Sequence, residues 1–178
     1  MIKDIHTTAY WQPCEHLDNQ RKRRETNMEK LIVVCHGEPD YQSVRLSTRG
    51  RRQAFALAKL VGGEIKAGYT TTIIRCQHSY PQETASIIMA QLHVQMGNLT
   101  KISRLFCPHP LYALDLLNEQ MEQHAVIFVG HAEDALYLPP MYGLLQEASL
   151  NGFAVSYGEA IVIDCEAMKA SIITPVRE

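Results

Sequence analysis

The sequence has no apolar run longer than about five residues, such as Leu31 to Cys35 and Ala125 to Val129, against the roughly twenty that span a bilayer. No membrane crossing is expected. It has no excess of charge of one sign: seventeen Lys and Arg stand against nineteen Asp and Glu, a net charge of -2. No surplus of cations is left to hold a nucleic-acid backbone, so nucleic acid is not an expected partner. Cysteine is sparse and unpatterned. Cys14, Cys35, Cys76, Cys107 and Cys165 are odd in number, widely spaced and form no CxxC pair, which speaks against a disulfide framework or a ribbon-type zinc site. They read as reduced thiols. Met1 to Tyr10 carries Lys3, Asp4 and His6 and lacks the apolar stretch of a secretion signal, so a cytoplasmic location is expected.

What is present is 178 residues, 46% apolar and 20% charged, the composition of one globular domain. The chain divides near residue 28. Residues 1–27 contain the charge run Arg21-Lys22-Arg23-Arg24 without a strand or helix period and read as an arm. Tyr10 and Trp11 offer it apolar anchors on the body or on a second copy, which leaves a homodimer open. No internal repeat or low-complexity tract is present.

From residue 28 to 178, short apolar runs alternate with helical patterns, the signature of an α/β domain with a mostly parallel central sheet and helices on both faces. Leu31 to Val34 reads as a buried central strand. Ser47 or Thr48 caps a helix whose apolar face is Ala54, Leu57, Ala58 and Val61, and Gly62-Gly63 is expected to close it. Thr71 to Cys76 is a second strand. Pro81 is expected as the first residue of a helix from about Gln82 to Gln95. Lys101 to Leu105 then reads as a strand, Leu111 to Gln123 as a helix and Ala125 to Val129 as a second fully apolar strand. Ala160 to Asp164 and Ala170 to Thr174 read as an edge hairpin.

Ligands of open α/β sheets bind at the carboxyl ends of the strands. His36 and His131 each stand two residues past a buried strand and beside a glycine. A lone histidine is more often structural; two so placed point to a shared site for a small anion. Glycine permits the tight turns that bring backbone amides and an imidazole together.

These residues resemble the histidine phosphatase superfamily, phosphoglycerate mutase-like proteins, and in their short spacing the small phosphohistidine phosphatases. Leu31 to Gln42, LIVVCHGEPDYQ, is similar to the first strand and its Arg-His-Gly motif, with Cys35 in the arginine position. Gly50, Gln53 and Ala54 stand where the family's first helix carries them. Cys76 to Ala85, CQHSYPQETA, resembles a segment ending in Gln-Thr-Ala, with Glu83 replacing Gln and Tyr80 at the second arginine position. The stretch Ile127 to Ala132 looks like the strand bearing the second catalytic histidine. The resemblance covers about residues 28 to 178.

It implies a phosphohistidine intermediate on His36, with His131 among the groups around the phosphoryl. Glu38, Gly37, Gln42, His78, Cys35 and Tyr80 are the remaining candidate site residues, Glu38 as a catalytic acid and Gln42 as an orienter of His36. The implied substrate is a small molecule or a phosphopeptide, and no cofactor or metal is implied. Two motif arginines are replaced by a thiol and a phenol, both normally neutral at pH 7. Each lost donor typically costs about 100 to 1000-fold in turnover. Arg45, Arg49, Arg51 and Arg75 lie near the motifs and are candidates to compensate. Three alternatives stay open: a metal cluster of Cys35, His36, His78, Tyr80 and His131, a Cys35 nucleophile, and a binding module without turnover.

Overall fold

The computed structural model describes residues 27–96, 101–107, 112–141, 155–167 and 169–175. The arm, apart from Asn27, lies outside the described residues.

A six-stranded sheet forms the middle of three layers, in the order β5-β4-β6-β1-β7-β8, where β1 is Lys30–Cys35, β4 Thr70–Cys76, β5 Lys101–Cys107, β6 Ala125–Gly130, β7 Ala160–Asp164 and β8 Lys169–Ile173. A small antiparallel ribbon of β2 (Pro39–Asp40) and β3 (Arg45–Leu46) follows β1. Strands β5, β4, β6 and β1 run parallel, β7 is antiparallel to β1, and β8 to β7.

Side chains alternate along β1, and that alternation builds two cores. Ile32 and Val34 join Leu57, Ala58 and Val61 of α1 (Thr48–Glu64) and Ala85, Ile88 and Leu92 of α2 (Ser79–Met96). Leu31, Val33 and Cys35 face the other way, with Ala113 and Leu117 of α3 (Ala113–Glu119) and Ala135 and Leu138 of α4 (Ala132–Met141). Emptying one of these fully buried positions, as in Leu57→Ala, typically costs about 2–5 kcal/mol.

Several element ends differ from expectation. Helix α1 does not close at Gly62-Gly63 but continues to Glu64, because a side chain at buried Gly62 would meet Gln95 of α2; this glycine serves close packing, not termination. Helix α2 begins at Ser79, so Pro81 is its third residue, still within the first turn, whose N–H groups need no intrahelical partner. That shift puts Tyr80 on the helix. Helix α3 is confined to Ala113–Glu119 within the expected 111–123 span. The last two strands do form a hairpin with β8 at the edge, while β7 pairs with the central β1.

Candidate active site

Register creates the site. Cys35 of β1 is level with Gly130 of β6, and the His36 N–H donates to the Gly130 carbonyl at 3.0 Å. His36 and His131 therefore leave neighbouring parallel strands side by side, with ring centroids 5.0 Å apart, edge to face. His78 follows the end of β4, the strand on the far side of β6. Its Nδ1 is 3.2 Å from His131 Nε2. Three adjacent strand ends thus supply three imidazoles in one row.

The loop after β1 is pressed against α1. A Cβ on Gly37 or on Gly50 would collide with the other segment's backbone, so neither position accepts a larger residue without movement. The Gly37 N–H donates to Thr84 Oγ1 at 3.1 Å, the Glu38 N–H to Gln53 Oε1 at 2.9 Å, and the Ser47 N–H to the Glu38 carbonyl at 2.9 Å. Ser47 also caps α1 by accepting from the Gly50 N–H at 2.9 Å. Glu83 takes the Leu46 N–H at 2.9 Å and Arg51 Nε at 2.8 Å, tying α2 to the ribbon and to α1.

His36 is buried, 4% exposed, and its Nδ1 lies 2.7 Å from the Gly37 carbonyl oxygen. A carbonyl only accepts, so Nδ1 carries the hydrogen and the lone pair sits on Nε2. Burial pushes the pKa of His36 below the ordinary histidine value, which keeps the ring neutral near pH 7. Tyr80 and Tyr157 flank it, centroids 5.4 and 5.2 Å away. The hydroxyl of Tyr157 meets that of Tyr41 at 3.1 Å, and this bond is the main reason its pKa is pushed up to about 12. At α4 the His131 N–H donates to Asp134 Oδ2 at 2.7 Å, the bond an acidic third residue makes to a helix start.

The remaining candidates are placed differently. Cys35 does not line the pocket: it is fully buried in the apolar layer beneath α3 and α4, and burial pushes its thiol up to about 12. A thiol held protonated is a poor nucleophile or ligand, which corrects the expectation of a Cys35 contact to substrate. The Glu38 carboxylate is engaged by Ser47 Oγ at 3.2 Å and Arg49 Nη1 at 3.1 Å, not by a histidine. Gln42 lies exposed in the turn between β2 and β3, its N–H donating to Asp40 at 3.0 Å; the geometry gives it no hold on His36. Arg49 and Arg51 are committed to Glu38 and Glu83, and Arg75 stacks on Phe106. Among the described residues no group of three His, Cys, Asp or Glu side chains is arranged to hold a metal ion. Tyr41, Tyr157 and Thr84 are site residues that composition and periodicity did not single out.

An open groove of about 1290 Å³ runs along α1 from the site, bounded by Glu38 and Tyr157 and carrying Arg49, Arg52, Phe55 and Lys59.

No family model and no curated protein matches the chain in sequence. Solved structures do match in shape. A protein proposed to be the phosphohistidine phosphatase SixA of Agrobacterium tumefaciens aligns with a TM-score of 0.58 at 18% identity, over 83% of this chain and 97% of its own. One proposed to be the same enzyme in Nakamurella multipartitia aligns with a TM-score of 0.56 at 16% identity, over 84% and 97%. The chain has the histidine phosphatase fold. Its mostly parallel sheet with helices is the phosphoglycerate mutase-like arrangement. A mycobacterial glucosyl-3-phosphoglycerate phosphatase shares this fold at a TM-score of 0.50 and 15% identity, over 82% of this chain and 97% of its own. Within the histidine phosphatase fold of this chain, His36 and His131 occupy the ends of adjacent central strands. No helix of the described residues is long and apolar enough to cross a membrane.

Proposed function

We propose that this chain is a phosphatase-type hydrolase that works through a phosphohistidine on His36. The observation that carries the reading is the bond from His36 Nδ1 to the Gly37 carbonyl at 2.7 Å, which leaves Nε2 of a buried, neutral ring as the free lone pair. In the first step Nε2 attacks phosphorus, a P–N bond forms, and the bond to the leaving group breaks with its electron pair, the leaving atom taking a proton from solvent, to which the attacking water of the second step returns one. In the second step water attacks phosphorus, the P–N bond breaks back to the neutral imidazole, and phosphate departs. Dividing one displacement into two easier ones is the purpose of such a nucleophile. The likeness in fold to proteins described as phosphatases supports the reading.

The groove beside Tyr157 and Glu38 supports a phosphopeptide as the substrate, because Arg49, Arg52 and Lys59 with Phe55 offer an extended amphipathic surface that starts at Tyr157, whose ring flanks His36. A phosphohistidine peptide also needs less help in leaving than an alkyl phosphate, which accords with a Glu38 already bound to Ser47 and Arg49. The test is hydrolysis of an aryl phosphate and of a phosphohistidine peptide by the purified protein, with acid-labile phosphate followed on the protein. Turnover and label that vanish in His36→Ala support the reading. Turnover that survives in His36→Ala overturns it. A protein that binds phosphopeptide without turnover is the second reading, favoured by the burial of Cys35 at an expected arginine position.

A further inference from the structure

A transferred phosphoryl group brings about two negative charges into the site, while the groove cations Arg49, Arg52 and Lys59 lie along α1, in a lining that includes none of the three histidines. The thiol of Cys35 is buried in the core, Tyr80 is a phenol, and Arg49, Arg51 and Arg75 are engaged elsewhere. The hydrogen bond between His78 Nδ1 and His131 Nε2 has the missing property.

At 3.2 Å one hydrogen lies between those two nitrogens. A neutral pair owns two ring hydrogens, one in the bridge and one on an outer nitrogen. It therefore presents one donating end and one accepting end, and an accepting end repels a phosphoryl oxygen. A third hydrogen changes both properties at once: each outer nitrogen donates, and the pair carries a positive charge. Resting on the assignment of His36 as the nucleophile, we infer that the His78–His131 pair, holding one extra proton, is the cation that receives tetrahedral oxyanions in this site.

The surroundings agree with this division of labour. The ring of His131 touches that of His36, so a charge on the pair is adjacent to the attacking nitrogen. Burial keeps His36 neutral in the range where an ordinary histidine takes up a proton, so a neutral nucleophile and a charged pair coexist. Of the other titratable groups, His36 meets His131 edge to face, Tyr80 and Tyr157 flank His36, and Glu133 and Asp134 stand in the first turn of α4 just after His131. Asp134 is already held by the His131 N–H and the Cys76 thiol. Oxyanion affinity is accordingly governed by pH, rising as the solution becomes more acidic.

Sulfate is the probe, because it keeps its double charge across the histidine range of about pH 5 to 8. Calorimetric titration of the full-length protein with sulfate is expected to show affinity falling about tenfold per pH unit once the extra proton is lost. His78→Gln, which keeps a polar side chain but takes up no proton, is expected to remove most of that dependence. His78→Arg is expected to bind equally at both ends of the range. The same dependence in His78→Gln as in the native protein overturns the inference, and so does a native protein that binds no sulfate at any pH. Ring-nitrogen NMR gives an independent reading: His78 and His131 are expected to titrate together, and separate titrations overturn the pairing. Sulfate binding with the expected profile but no label on His36 leaves the pair standing and removes the phosphatase reading instead.

Discussion

The two ends of strand β1 carry similar residue types put to opposite uses. At its start, Lys30 reaches Glu64 at 3.5 Å and Asp164 at 3.3 Å, and Glu29 is held by Lys66 at 2.8 Å and by the Tyr69 hydroxyl. His124 stacks on Tyr69, centroids 5.1 Å apart, and its Nδ1 accepts from the Thr70 N–H at 3.2 Å. At the far end His36 donates from Nδ1 to a carbonyl. The two histidines are thus opposite tautomers. His124 turns Nε2–H outward and has no lone pair to offer there, whereas His36 turns its lone pair outward. The tautomer, set by what each Nδ1 meets, separates a histidine bonded into the fold from one that presents its Nε2 lone pair.

Replacing the two histidines is the most direct way to break this contrast. His36→Ala is expected to lower turnover about 1000-fold or more, measured with the phosphohistidine peptide. An activity loss of that size in His124→Ala would sink the distinction. Alkylation of Cys35 sharpens it from another side. With its thiol pushed up to about 12, reaction with iodoacetamide near pH 8 is expected to run about 1000-fold slower in the folded protein than in urea, read by peptide mass spectrometry.

His124→Ala is expected to cost about 1–2 kcal/mol of stability through the lost bonds to Thr70 while turnover stays within about twofold, as measured by urea unfolding alongside the assay. Acid provides a further comparison. The pKa of His36 is lower folded than unfolded, so the unfolded chain binds the proton more readily and stability falls as pH drops through the unfolded value. His36→Gln is expected to make that acid decline shallower. The smallest effect is expected from Lys66→Ala, whose urea midpoint should be indistinguishable from that of the native protein, since its ion pair with Glu29 lies in solvent.

The alternation of buried strands and amphipathic helices was legible because burial on both faces forces continuous apolar runs such as Leu31 to Val34 and Ala125 to Val129. His36 and His131 were legible as candidates for the same reason, since the ends of those runs mark strand ends, whereas His78, in a polar turn, entered only beside the family resemblance. The ribbon Pro39–Asp40 with Arg45–Leu46 was not, because two-residue strands have no period to detect. Helix α4 was hidden by Pro139-Pro140, which fall inside it and read as breakers. Tyr41 and Tyr157 lie in turns, and the pairing of Val34 with Ala160, continued by the Gly158 N–H to the His36 carbonyl, brings Tyr157 back to His36. Reading β7 as a neighbour of β1 would have exposed it. The burial of Cys35 followed from the alternation Leu31, Val33, Cys35, a pattern that the motif position obscured.

The pairing of Cys35 with Gly130 makes the spacing of the two histidines a matter of backbone bonds rather than side chains. Deleting one residue from β6 would slide His131 by about 3.3 Å, whereas exchanging side chains around the pocket leaves the frame untouched. Such a scaffold fixes the separation of the two imidazoles through the register of β1 and β6, and leaves the side chains around them free to change.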